Sequence, residues 1–421
     1  MAQTRQPQDT SARPRAGNRF RRATEALRYP NFRLVWTTSI FSSAARWIQQ
    51  VSLGWLAYDL TGSAALLGVL LFVYQAPTIV LSPLVGVLVD RVNRRNLLIV
   101  SQLIMAGLAI LLALDILLGA VQVWHLYVFA VASGVESTII HVVRQALIPS
   151  AVPRESLLNA ISLNSAALTS TRIVGPFLAG LLIVAVGVEG NFLIQAVLLS
   201  CVAVAAFPLK LSPLESVGDG ARRSIRGDIA TALRFIWGIT HLRVQFTIQY
   251  LMLFLAMPFS NFLPVWAENV LSLDADGLGV LYSAAGIGAL IGTITLASAG
   301  NVGRKGILMA VVTVGLGLAY LGLGLSSLLV VSLVMLAIVG AAQSMFSAIN
   351  MTLVQSRVPD ELQGRVMSIF NIGHAMIAVG SLTMGIIVDA IGIQPMTIGL
   401  GAIVAVLAVA ALPVLPSLRR A

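Results

Sequence analysis

Residues 68–98 read GVLLFVYQAPTIVLSPLVGVLVDRVNRRNLL. From 64 to 88 there is no charged side chain, and a helix over that run is long enough to cross a hydrocarbon core of about 30 Å. At Asp90 the pattern breaks. Asp90, Arg91, Arg94 and Arg95 fall within six positions, and each would cost about 2.5–3.5 kcal/mol at the centre of a bilayer. The run therefore ends there, in a short basic loop outside the membrane.

The same pattern recurs along the chain. Apolar runs lie at about 33–58, 64–88, 97–118, 123–145, 157–185, 191–209, 244–266, 277–299, 306–325, 328–350, 366–388 and 395–416, twelve in all. Alternating the intervening loops between two sides gathers every loop cation on one of them, among them Arg91, Arg154, Arg222, Arg304, Arg357 and Arg419, together with the N-terminus. The other side carries Asp59, Glu189, Glu268, Asp274, Asp276 and Asp389. By the positive-inside rule both termini are expected in the cytoplasm of a multi-pass protein of the plasma or inner membrane.

Composition agrees. Hydrophobic residues make up 57% and charged residues 10%, proportions that suit a chain whose solvent is lipid. The net charge of +10 would suggest nucleic acid in a soluble protein; here topology and anionic headgroups account for it, and nucleic-acid binding is rejected. The only cysteine, Cys201, lies inside an apolar run, so there is no disulfide framework or thiolate cluster. The four histidines have no ligand spacing, and no phosphate-binding loop occurs. No metal, no cofactor and no enzymatic activity is expected.

Residues 1–32 form an arginine-rich tail, read as a disordered cytoplasmic segment with a short surface helix around 19–27; a transit peptide is the alternative. Residues 33–209 and 244–416 are then two six-helix bundles, 210–243 a central cytoplasmic loop with the Pro and Gly content of a linker, and 417–421 a short tail. The halves repeat. Residues 68–98 realign with 279–309 at an offset of 211, and Gly134, Val152, Pro153 and Glu155 fall on Gly340, Val358, Pro359 and Glu361 at an offset of 206. Two similar bundles around a central path are the plan of parallel-repeat secondary transporters.

The loop GVLVDRVNRR, 86–95, resembles the signature between the second and third helices of the major facilitator superfamily. Stretches 56–68, 144–165 and RIVGPFLAG at 172–180 are similar to its branch of enterobactin exporters and macrolide efflux proteins. The resemblance implies an all-α membrane protein of twelve transmembrane helices in two pseudo-symmetric six-helix bundles, the major facilitator fold. It also implies export of amphipathic molecules such as siderophores or drugs, driven by inward proton flow. Gly86, Asp90, Arg91, Arg94 and Arg95 are expected to form a conformational latch, with Asp90 against the start of the eleventh helix near Gly364 and Arg365; setting topology is the alternative. Asn301 stands where the second half would carry the matching acid. Gly175, Pro176 and Gly180 resemble the fifth-helix antiporter motif, although Thr171 and Ala179 depart from it. Their other reading is a kinked helix with small residues for close packing.

Arg46, Glu136 and Arg172 sit near mid-depth and are expected to face the bundle interior. Glu136 is expected to pair with Arg172 or Arg46 and to exchange that partner for a proton or an anionic group of the cargo, a relay; a permanent internal salt bridge is the alternative. Two arginines against one glutamate favour anionic or oxygen-rich cargo. Gln49 and Gln50 are three and four positions from Arg46 and share its face. With Tyr250, Asn261, Asn371 and His374 they are the expected cavity lining, and Trp124 and Trp266 are expected as interfacial anchors. The leading expectation is a monomeric proton-coupled exporter of a small molecule, with protons and the lipid bilayer as its other partners. The other readings are a lipid or lysolipid flippase, an importer of the same fold, and a receptor or scaffold without transport.

Overall fold

The structure is a computed structural model, and it describes residues 24–209, 225–299 and 305–411. Among the described residues every regular element is helical. Four helices open the chain: α1 (Pro30–Thr61), α2 (Ala64–Arg91), α3 (Arg94–Leu117) and α4 (Val123–Ser150). The run Leu157–Ala206 is divided at Gly187, whose φ of 76° no helix accommodates, into α5 (157–186) and α6 (188–206). Next come α7 (Ile225–Gly238), α8 (Thr240–Leu255), a 3₁₀ turn at Pro258–Phe262 and α9 (Leu263–Leu271). The chain continues through α10 (Ala275–Ser298), α11 (Lys305–Gly324), α12 (Leu329–Gln355), α13 (Asp360–Ile372), α14 (Ala375–Ile391) and α15 (Ile393–Ala411). Taking α8–α9 as the seventh pass and α13–α14 as the eleventh gives twelve membrane passes. Nine described stretches are individually long and apolar enough to cross. The remainder are α1, made less apolar by Ser39, Ser42, Ser43, Arg46, Gln49 and Gln50, the stretch of α2, and the division at Gly187.

Local chemistry sets the ends. Pro30 opens α1, and Gly62 in the left-handed conformation closes it. Ser63 caps α2 by accepting from the Leu66 amide, and Asn93 caps α3 by accepting from the Arg95 amide. The seventh pass is interrupted at Pro258, which supplies no amide hydrogen. The carbonyl of Ala256, where α8 ends, accepts from Tyr320 Oη at 2.7 Å and from Gln343 Nε2 at 3.1 Å. The eleventh pass is interrupted after Gly373, where the Ile369 carbonyl accepts from the Gly373 amide at 3.3 Å and also from Tyr250 Oη at 2.8 Å. Irregular backbone at membrane depth is tolerated only with such replacement partners.

Two observed features differ from the sequence expectation. The segment 210–243, read as linker throughout, contains α7, whose Ala232 and Ile236 are buried against Leu242, Phe246, Val366 and Phe370. Apolar side chains at helical spacing there outweigh the Gly and Pro that precede it. Trp266, expected at the interface, has no exposed surface and donates to Ser332 Oγ at 3.3 Å, whereas Trp124 is 59% exposed. The indole is enclosed by neighbouring passes, with its ring edge-on to Phe259 and its N–H on Ser332 of α12.

The halves are built alike to the level of single contacts. Gly134 on α4 lets the backbone approach the Tyr74 carbonyl of α2; Gly340 on α12 does so at the Ala285 carbonyl of α10, the repeat equivalent of Tyr74. Between halves, α2 packs on α14 and α5 on α10. The equivalent glycines Gly68 and Gly279 meet Ser381 and Gly180 at those two contacts, at distances an added Cβ would not permit. Gln50 Nε2 donates to Asn261 Oδ1 at 3.0 Å, and Asn269 Nδ2 to Tyr58 Oη at 2.7 Å; both pairs are separated by 211 positions, so each side chain touches its own equivalent. A pseudo-twofold axis along the membrane normal therefore runs between α1 and the seventh pass.

Candidate functional site

The inter-half contacts above all lie toward the acidic end of the molecule, the end of Asp59 and Asp389. At the arginine-rich end α13 packs on α7, and a side chain added at Gly364 would meet open space. Along the half of α5 nearest that end, Ser162, Ser165, Thr169 and Arg172 are exposed. Their spacing places them on one helical face. A polar stripe of this kind on a membrane helix has to border water, because facing lipid would leave its hydroxyls and guanidinium unsatisfied. His141 and Gln145 of α4 are exposed as well, with Gln145 Nε2 2.8 Å from His141 Nε2. Together they mark an exposed polar face in the part of the first bundle nearest the arginine-rich end, while the described inter-half contacts gather toward the acidic end.

At mid-depth the first half holds a cationic cluster. Arg46, on α1, lines a crevice with Gln49, Gln50, Leu70 and Tyr74, and its charge reaches Glu136, Arg144 and Arg172. Glu136, on α4, accepts a short hydrogen bond from Gln102 Nε2 on α3. Among the described residues the Glu136 carboxylate makes no ion pair with an arginine, so an amide takes the place expected for Arg172 or Arg46. Arg144, two turns from Glu136 toward the arginine-rich end, donates to Ser42 Oγ at 2.7 Å. Two cations, Arg46 and Arg144, thus act on one carboxylate, and Arg172 lies within reach of Arg46. The repeat equivalent of Arg144 is Asn350, buried and held by Gln245 Nε2 at 3.0 Å and by Gln249. Charge at this depth is a property of the first half alone.

The remaining expected residues fall into three groups. Gln50 and Asn261 meet across the axis, and Asn261 Nδ2 lies 3.5 Å from Ser381 Oγ, so three passes converge there. Gln49 is buried and accepts from Gln195 Nε2 at 2.7 Å, which fixes it inside the first bundle. Tyr250 supports the break in the eleventh pass, and His374 stands at the start of α14 with its ring against Phe370. The side chain of Asn371 lies outside the described residues. In the fifth pass Gly175 makes room for the Trp47 ring, Gly180 meets Gly279 of the other half, and Pro176 lies between them inside the helix.

Of the expected latch, Gly86 and the side chains of Asp90 and Arg91 lie outside what the structure describes. Arg94 begins α3, Arg95 stacks over the Phe207 ring at 5.3 Å, and Arg365 lies on α13. No group of three or more His, Cys, Asp or Glu able to hold a metal occurs among the described residues. Arg144, Gln102, Tyr58, Asn269 and Asp389 were not singled out from the sequence for this site. The 211-residue repeat, which sets Tyr58 on Asn269, was the available signal for one pair.

Comparison with known proteins gives a consistent picture. The profile of the family described as Transmembrane secretion effector matches residues 23–420. The chain is 24% identical over 369 residues to the Staphyloferrin A transporter of Staphylococcus aureus (strain NCTC 8325 / PS 47), a match covering 85% of this chain and 90% of that one. It is 25% identical over 354 residues to the Enterobactin exporter EntS of Shigella boydii serotype 4 (strain Sb227), covering 80% of each. Among solved structures, the nucleoside transporter NupG superposes with a TM-score of 0.72 at 13% identity, over 92% of this chain and 99% of that one. A bacterial homolog of the human lysosomal transporter Spinster, in an inward-facing and unoccupied conformation, gives 0.70 at 13% identity, over 95% and 99%. These two establish the shared fold. With the profile running the length of the twelve passes, the chain belongs to the Transmembrane secretion effector family of the major facilitator superfamily, and is a multi-pass membrane transporter rather than an enzyme.

Proposed function

We propose that the protein is a proton-coupled exporter of an amphipathic, oxygen-rich anionic small molecule of the siderophore type, working as a monomer by alternating access. The observation that carries this reading is the excess of cations at this depth, Arg46 and Arg144 acting on the single carboxylate of Glu136 and Arg172 within reach of Arg46, beside an exposed polar face of α5. A cavity with excess positive charge, shielded from bulk water, attracts an anion strongly. The names of the two curated relatives, one a transporter and one an exporter of siderophores, support the cargo class. The loop cations support a cytoplasmic location for the arginine-rich end and both termini, which suits loading from within a cell and release across its inner membrane. Segments 33–209 and 244–416 are then the rocking units, and Asp90 of the basic loop, against the start of α13, is the catch that closes the cytoplasmic side.

In this cycle Glu136 alternates between a protonated form, content beside Gln102, and an ionised form that turns to the arginines once the anion has left. Inward proton movement drives the exchange. The test is efflux of citrate-type and catechol-type iron chelators from proteoliposomes under an imposed pH gradient. Accumulation should follow the gradient in the unmodified protein. Glu136→Gln should insert and fold normally but carry cargo only down its own gradient. Retention of full gradient dependence by that variant would remove Glu136 from the coupling step.

A further inference from the structure

At the acidic end of the molecule a carboxylate from one half caps a helix of the other. Asp389 lies in the last turn of α14, just before Gly392 closes that helix with φ 85°. One of its oxygens accepts from the Ala64 amide at 2.7 Å; the other accepts from the Ala65 amide at 3.1 Å and from Ser63 Oγ at 2.6 Å. Ala64 and Ala65 are the first two residues of α2, whose opening amides have no partner inside the helix. Ser63, the cap within the chain, reaches only the Leu66 amide, at 3.2 Å. The N-terminus of α2 is thus completed by a residue 325 positions away, in the opposite bundle. Negative charge is favoured at this place by the aligned peptide dipoles.

Below the cap the same two helices touch backbone to backbone. Gly385 lies against the Ala64 carbonyl, and Gly68 against that of Ser381. The helices run antiparallel. Asp389, near the C-terminal end of α14, therefore stands where α2 begins.

We infer that Asp389 is the catch that holds the acidic end of the transporter shut, acting as a positioning residue that touches no cargo. Opening that end requires α2 and α14 to part. All three hydrogen bonds then break, and the α2 amides and the carboxylate pass to water. Because the carboxylate is exposed, water competes for it even in the closed state, so the contact biases the equilibrium without freezing it. Ser63 takes part as a donor to the catch and as the residual cap that keeps α2 intact when the catch is released. The inference rests on the alternating-access reading above, yet its test is read without cargo.

In a Cys201→Ser background, spin labels at Leu118 and Leu325, both exposed and on the acidic end of opposite halves, report their separation in lipid nanodiscs. The unmodified chain should show one dominant short distance. Asp389→Asn loses the charge and one backbone acceptor, and Asp389→Ala loses all three bonds. Both should raise the ratio of long to short distances, about tenfold for alanine, as expected for hydrogen bonds to a charged acceptor. Asp389→Glu should restore the short distance in part, and Ser63→Ala should shift it least. Melting temperatures close to that of the parent exclude a general loss of fold as the cause. A distance distribution for Asp389→Ala that matches the parent would overturn the catch while leaving proton-driven efflux standing. A clear shift, in a protein that moves no chelator under any gradient, would support the catch and remove the transport assignment instead.

Discussion

At Gly134 an added Cβ would collide with the Tyr74 carbonyl of α2, whereas at Gly364 it would meet nothing within 4 Å. Both glycines lie inside helices, so their intrinsic propensities match and only the surroundings differ. Gly134→Ala should lower stability by about 1–3 kcal/mol, because α2 and α4 must separate to admit the methyl group. Gly364→Ala should raise it slightly, by about 0.5–1 kcal/mol, from helix propensity. Thermal melting in detergent distinguishes the two, and equal shifts would show that the α2–α4 approach is not rigid. Residue chemistry of this kind was legible where the repeat marked it: Gly134 and Gly340 align in the sequence and perform the same task in the structure. Gln50 and Asn261 were also singled out from the sequence, without their bond. Arg144 was missed because the fourth apolar run was ended at 145, while α4 continues to Ser150 and leaves the guanidinium within the helix beside Ser42. Asp389 read as one more loop acid, since nothing near it in sequence announces a helix start 325 positions away.

On the scale of elements, the passes that cross as single helices were placed to within a few residues, and the two broken ones were not. Pro258 is plain in the sequence, yet whether a proline kinks a membrane helix or interrupts it depends on what satisfies the backbone carbonyls where the helix ends, here that of Ala256. Here that task falls to Tyr320 on α11 and Gln343 on α12, distant in sequence and themselves linked by a 3.0 Å hydrogen bond. The same limit applies to α7, whose reason for folding is the surface of α13 and α8. Tyr320→Phe and Gln343→Leu should each cost little, on the order of 0.6 kcal/mol, because the other partner still reaches the Ala256 carbonyl. The double variant leaves that carbonyl unpaired in a buried setting, and should cost about 1–3 kcal/mol more than the sum of the singles. A double-mutant cycle on melting free energies measures the excess. Simple additivity would mean that water, not these side chains, serves the break.

For the whole molecule, two near-equal bundles have to exchange which end is closed, and the pseudo-twofold axis determines where they can be held together with least disturbance. Residues on that axis meet their own equivalents, so a link between them does not favour one half over the other and leaves each bundle intact. Gln50 and Asn261 are such a pair, one turn beyond Arg46 toward the acidic end, and Tyr58 and Asn269 are a second pair nearer that end. Rocking that opens the acidic end separates the second pair more than the first, because displacement grows with distance from the pivot. Cysteines at Tyr58 and Asn269 in a Cys201→Ser background, bridged by a short bifunctional thiol reagent, should therefore stop efflux completely and recover it when a reducible bridge is cut. The same bridge at Gln50 and Asn261 should leave more residual transport, since less motion is forbidden there. Single-cysteine controls treated alike should retain activity. If both bridges block to the same degree, the bundles translate apart rather than rock; if neither blocks, the closed acidic end is not a station on the transport cycle.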